Sequence, residues 1–162
     1  MHVHVLVATD AQWVVDEIVA ALSGPETSFT VCRNGRDVTA VVKARTPDIA
    51  ILDLQSGSMG GMAVTMNLRH DESSGAMPHV PVLMLLDRDV DVFIAQRSGA
   101  DAWIVKPLDA LSITRAVTAV LAPPAPPAAD EAIDAAGDAA GDAVGNAEVD
   151  AETVEEEPVP AG

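Results

Sequence analysis

The chain has 162 residues, 49% of them hydrophobic, and a formal net charge of −16. Its aromatic residues are Trp13, Phe29, Phe93 and Trp103, so any core must be built of small aliphatics. A domain of ~150 residues buries roughly two-thirds of its unfolded surface, so this is feasible. One cysteine, Cys32, excludes an internal disulfide, and the acidic balance argues against direct nucleic-acid binding, which needs clustered Lys and Arg.

The N-terminus enters a strand pattern at once, His2-Val3-His4-Val5-Leu6-Val7, with no leader-like stretch before it. Residues 11–23 place Trp13, Val14, Ile18, Val19 and Leu22 at helical spacing, and Gly24-Pro25 ends that helix. A short strand follows over 29–33, carrying Cys32 as a small buried hydrophobe. A second helix starts near Gly35 and is striped by Val38, Val41, Val42 and Ala44. Pro47-Asp48 announces a buried strand at 49–52, and a third helix covers 61–69. A fourth strand is expected at 82–86, a helix at 90–97 ended by Gly99, a fifth strand at 103–105 and a last helix at 110–121. His2 and His4 read as a strand-end pair. His70, Asp71, Glu72 and His79 read as solvated loop residues.

Composition changes at Ala122. Residues 1–121 hold 14 acids and all nine Lys and Arg; residues 122–162 hold 11 acids and no base. Pro123-Pro124-Ala125-Pro126-Pro127 cannot continue a helix. The Ala, Gly and Asp repeats that follow, ending in Glu155-Glu156-Glu157, offer too little apolar surface to offset their ordering entropy. The expected organisation is a folded domain over 1–121 and a disordered acidic tail over 122–162. No apolar run approaches the ~18 residues that span a bilayer, and the cytoplasm is the simplest compartment.

Five strand–helix units in alternation imply a doubly wound parallel sheet with helices on both faces. In such sheets ligands bind outside the carboxyl ends of the strands. Chemistry is therefore expected at Asp10, Asp53, Leu86-Asp87 and Lys106, each just after a strand.

At these positions the sequence resembles the receiver domains of two-component response regulators. The resemblance covers residues 2–121. It rests on Leu6-Val7-Ala8-Thr9-Asp10, Pro47-Asp48-Ile49-Ala50-Ile51-Leu52-Asp53-Leu54, Met59-Gly60-Gly61-Met62, Pro81-Val82-Leu83-Met84-Leu85, and Gly99-Ala100-Asp101-Ala102-Trp103-Ile104-Val105-Lys106-Pro107, in that order. It implies a flavodoxin-like (βα)5 fold with a five-stranded parallel sheet. It implies Asp53 as a phosphoryl acceptor and Lys106 as its partner and later the phosphoryl group's. Asp10, Asp53 and the carbonyl of Gln55 would be ligands for Mg²⁺, which takes hard oxygen donors. A cis peptide before Pro107 is implied too.

The departures from that pattern are specific. The family usually has two adjacent acids after the first strand; here the first is Thr9, so a Mg²⁺ ion would be held weakly. After the fourth strand the family uses Thr or Ser, whose hydroxyl bonds a phosphoryl oxygen; Leu86 has no donor. The next residue is normally small, whereas Asp87 is bulky and anionic, although Asp87-Arg88-Asp89 also reads as an N-cap for the fourth helix. The loop after Asp53 has Gly57 and Ser58 where Pro then Gly is usual. A hydrogen bond to a charged group contributes about 1.5–3 kcal/mol. Losing ~3 kcal/mol of differential stabilisation removes roughly a 150-fold bias between two conformations.

Trp103 holds the place of the family's switch aromatic, with two readings: an outward indole serving as a binding hot spot, fixed by Leu86, or a ring partly buried as packing. The expected function is that of an atypical single-domain receiver, not an enzyme, that works by contact with a protein partner such as a larger assembly. The alternative is a response regulator relaying a histidine-kinase signal through Asp53. The face made by the fourth helix, fifth strand and fifth helix also offers a surface to a second copy. An enzyme on a related fold is disfavoured: Ala8 to Trp13 contains no glycine for a phosphate loop, and Asp10 is followed two residues on by Gln12 rather than by a second aspartate.

Overall fold

The computed structural model describes residues 2–122. The expected acidic tail lies, from Pro123 on, outside the described residues. The elements are β1 (Val3–Ala8), α1 (Gln12–Leu22), β2 (Thr27–Cys32), α2 (Val38–Ala44), β3 (Ile49–Asp53), α3 (Gly61–Ser73), β4 (Val82–Leu86), α4 (Val92–Ser98), β5 (Ala102–Val105) and α5 (Ala110–Leu121). The five strands form one parallel sheet in the order β2-β1-β3-β4-β5. This is the doubly wound parallel sheet expected from the alternation, in the flavodoxin-like form that the resemblance implied.

The sequence explains the layering. Every residue of β3 and β4 is buried, as strands covered on both faces require. Alternate residues serve opposite faces. Val5, Val7, Ile51, Leu83 and Leu85 pack against α1 and α5, whereas Leu6, Leu52 and Val82 pack against α2 and α3. A third cluster, Leu54, Met84, Leu86 and Ala95, lies under α4. The edge strand β5 is only half-buried throughout.

Boundaries differ from the sequence expectation where short-range signals are absent. Three-residue 3₁₀ turns, Gly35–Asp37 and Asp89–Asp91, lead into α2 and α4. β2 begins at Thr27. Helix α3 runs four residues past the expected end at Arg69, which moves His70, Asp71 and Glu72 out of the loop and into the helix. There Arg69 donates to Glu72 (2.9 Å), Asp101 (2.6 Å) and the carbonyls of Val80 and Gly99, while Glu72 also accepts from the Val80 amide at 2.8 Å. His79 lies 2.8 Å from Glu72. Arg69 and Glu72 thus form a junction between α3 and the starts of β4 and β5, whereas His79 stays in the exposed loop before β4 and His70 is an exposed residue of α3. Helix α4 ends at Gly99, whose φ of 81° suits a residue without Cβ. The His2 and His4 rings face β2 hydroxyls, Ser28 at 2.9 Å and Thr30 at 2.8 Å.

Strand order reverses beside β1, with β2 on one side and β3 on the other. That switch point opens a crevice at the carboxyl ends of β1 and β3. Asp10 and Asp53 sit at it.

Candidate functional site

Asp53 is the last residue of β3 and is 2% exposed. The chain after it is held tightly to the strand end. A Cβ on Gly61 would come within 2.8 Å of the Asp53 carbonyl oxygen, one on Gly60 within 2.5 Å of that of Leu54, and one on Gly35 within 2.0 Å of that of Met59. Glycine at these positions lets the loop 54–60 pack back onto the pocket.

A buried carboxylate must be compensated. Here both oxygens are. Oδ2 accepts the Thr9 hydroxyl at 2.9 Å, and Oδ1 accepts from Lys106 Nζ at 2.8 Å and from the Gln55 amide at 3.3 Å. Thr9 is itself buried, anchored by its amide to the Cys32 carbonyl, and its Oγ1 accepts from the Ala11 amide. Lys106 follows β5; its amide donates to the Leu86 carbonyl at 2.8 Å, and its bond to Pro107 is cis, as the resemblance implied.

Lys106 has a second carboxylate partner. Its Nζ donates to Asp87 Oδ1 at 3.0 Å, so one ammonium bridges a buried aspartate and a rim aspartate. Burial works to lower the Lys106 pKa, but the hydrogen bonds it donates to Asp53 and Asp87 outweigh it and hold the amine above its ordinary value. This corrects the capping role expected for Asp87: neither the 3₁₀ turn at Asp89–Asp91 nor α4 has a side-chain N-cap, and the Asp87 carboxylate is turned to Lys106 instead. The other ion pair of this loop joins Arg88 to the buried Asp91 at 3.0 Å.

Asp10 stands at the rim, exposed, with Oδ2 accepting from the Gly57 amide at 2.9 Å. The structure thus brings Asp10, Asp53, Gln55, Asp87 and Lys106 to one end of the sheet. Among the described residues no group of three His, Cys, Asp or Glu side chains is arranged to hold a metal ion. Leu86 is fully buried in the cluster under α4, and Trp103 packs half-buried against that same cluster.

Two features of the site were not anticipated. The replacement of an acid by Thr9 reads in the sequence as a lost charge, whereas the hydroxyl is a donor to Asp53. Trp13 reads as part of the buried stripe of α1, but that stripe is Val14, Val15 and Ile18; Trp13 is 52% exposed, with its ring 5.6 Å from Lys106 Nζ. The signal available was the unbroken pair Val14-Val15 followed by Ile18, which leaves position 13 off the apolar face.

Residues 5–118 match the family model described as the response regulator receiver domain. The chain belongs to that family. It is 25% identical over 118 residues to the protein PilH of Pseudomonas aeruginosa, covering 73% of this chain and 97% of PilH. It is 31% identical over 120 residues to the transcriptional regulatory protein CseB of Streptomyces avermitilis, covering 73% of this chain but 48% of CseB, so it spans about half of that longer relative. Among solved structures, the chemotaxis response regulator CheY4 of Vibrio cholerae aligns with a TM-score of 0.65 at 20% identity, over 74% of this chain and 99% of that one. A response regulator from Chloroflexus aurantiacus aligns with a TM-score of 0.67 at 18% identity, over 75% of this chain and 98% of that one. These likenesses share the fold. Receiver domains are signalling modules, and among the described residues of this one no helix is long and apolar enough to cross a membrane.

Proposed function

We propose that this receiver acts by binding another protein, as an accessory or regulatory partner of a larger assembly, with its phosphorylation switch blunted. The observation that carries the reading is the ion pair of Lys106 with Asp87 beside a buried Leu86. An incoming phosphoryl group would meet a carboxylate already on the lysine and would find no hydroxyl on the residue after β4. Like charges at that distance repel unless one swings into water. Exposed apolar side chains on the turn before α4 and on α4 itself, Val90 at 74% and Phe93 at 61%, supply contact surface.

Mg²⁺ fits the pocket only modestly. It commonly binds through one or two carboxylates plus phosphate oxygens and keeps several waters. Asp10 and Asp53, with the Gln55 carbonyl, would hold it, and it would neutralise charge on phosphoryl oxygens. Thr9 contributes no charge to it.

A second reading has its own support. Asp53 and Lys106 at 2.8 Å, with Asp10 at the adjoining strand end, are the minimum a phosphoryl acceptor needs. In that reading the chain relays a histidine-kinase signal through Asp53. Intact-protein mass spectrometry after incubation with acetyl phosphate and Mg²⁺, with Asp53→Asn as control, decides between them. The blunted reading expects little or no adduct; a stoichiometric adduct lost in the variant establishes the relay.

A further inference from the structure

The bridge made by Lys106 joins two loops as well as two charges. Asp87 is the first residue after β4 and Lys106 the first after β5, and these strands pair through Leu86 and Val105. The Lys106 amide already donates to the Leu86 carbonyl, so the two loop bases are tied by backbone; the side-chain pair at 3.0 Å ties the next step of the β4–α4 loop to the same lysine. Only Arg88 separates Asp87 from the 3₁₀ turn, and it is pinned by its ion pair to the buried Asp91. Two ion pairs, Lys106–Asp87 and Arg88–Asp91, therefore tie the segment between β4 and α4 to the pocket at one end and to the buried Asp91 at the other.

We infer that Asp87 is a built-in anionic latch: its carboxylate holds the β4–α4 loop against Lys106 in the absence of any phosphoryl group, and so keeps α4 in one fixed position. This rests on the reading of the pocket above and deepens it. In a receiver whose lysine is free to turn to an added phosphoryl group, that group supplies the anion that biases the loop after β4 towards one position. Here the anion is supplied by the loop itself. The apolar side chains of Val90 and Phe93 are then presented continuously, and binding of a partner to them does not wait for a kinase.

The test is residue-resolved amide NMR and hydrogen exchange on the full chain, comparing wild type with Asp87→Ala and Asp87→Asn, each with and without BeF₃⁻ and Mg²⁺. Asp87 is exposed at the rim, so both variants keep the core. The latch predicts that, without BeF₃⁻, amides 88–98 shift in both variants and exchange about fivefold faster, the factor that ~1 kcal/mol corresponds to. Amides of β1 and α1 stay at their wild-type positions. If amides 88–98 are unchanged in both variants, the latch does not exist, whatever BeF₃⁻ does. The BeF₃⁻ response of the wild type tests the blunted switch separately: a large shift there, with loosened loops in the variants, removes the blunted reading and leaves the latch standing.

Discussion

The Thr9 hydroxyl donates to Oδ2 of Asp53 at 2.9 Å, inside a pocket where both residues are all but closed to solvent. A position that carries an acid in the family's usual pattern here supplies a hydroxyl donor to the Asp53 carboxylate. The pocket can then hold a buried carboxylate with no cation other than Lys106.

Thr9→Val keeps the shape and removes that donor. Leaving a buried charged acceptor short of one hydrogen bond costs about 1–3 kcal/mol. Urea unfolding should show a loss of that size, and an unchanged midpoint would mean that the Thr9 contact contributes nothing to stability. Thr9→Asp should instead tighten Mg²⁺ binding in a calorimetric titration while destabilising the metal-free protein, because two carboxylates then face each other.

Lys106→Met leaves Asp53 buried and without its ammonium. Breaking one partner of a buried pair costs about 3–5 kcal/mol. Pairing the change with Asp53→Asn should recover a large part of the loss, and the double-mutant cycle measures the coupling. The sign of the pH dependence follows from the raised Lys106 pKa: its contribution is fully present below the ordinary lysine value of about 10.4 and disappears as pH rises through the higher folded value. Wild type should lose stability above that range, and Lys106→Met should not share this loss.

Glu72 gives the opposite dependence. Burial pushes its pKa up, but His79, the Val80 amide and Arg69 together pull it below the ordinary glutamate value. A depressed folded pKa means stability present above the unfolded value of about 4.3 and lost as pH falls through the folded one. Glu72→Gln should therefore be less stable than wild type near neutrality, by about 1–2 kcal/mol, with the gap closing towards pH 3. Chemical unfolding at both pH values checks this.

Gly35→Ala should destabilise the protein by about 1–3 kcal/mol, the range for forcing extra atoms into a packed site, because its Cβ would sit 2.0 Å from the Met59 carbonyl oxygen. Thermal unfolding reads the loss directly. A neutral result would show that loop 54–60 can move away from Gly35 at no cost.

Much of this architecture was legible in the residues. The apolar runs Ile49-Ala50-Ile51-Leu52 and Val82-Leu83-Met84-Leu85-Leu86, too short for helices and bounded by Pro and Asp, read as strands covered on both sides, and they place Asp53 and Asp87 at the sheet's functional end. What was not legible depends on pairing across long separations. His70-Asp71-Glu72 has no apolar periodicity, and the last turn of α3 is held instead by Arg69 contacts reaching to Asp101 and by the Lys43–Asp71 ion pair. The two 3₁₀ turns are too short to show a period. Asp87 followed by Arg88 and Asp89 has the local look of a helix cap; that Lys106 is its partner depends on β4 and β5 being neighbours, 19 residues apart in the chain.

The placement of Trp13 also gives the molecule an optical gauge. The chain has two tryptophans. One lies in solvent over the Lys106 ammonium, and the other is packed against the cluster containing Leu86. Their emission should separate, the first red-shifted and sensitive to any anion that draws Lys106 away, the second blue-shifted and reporting on the seat of α4. With each indole replaced by Phe in turn, ordinary fluorescence can follow the pocket and the helix independently, without a label.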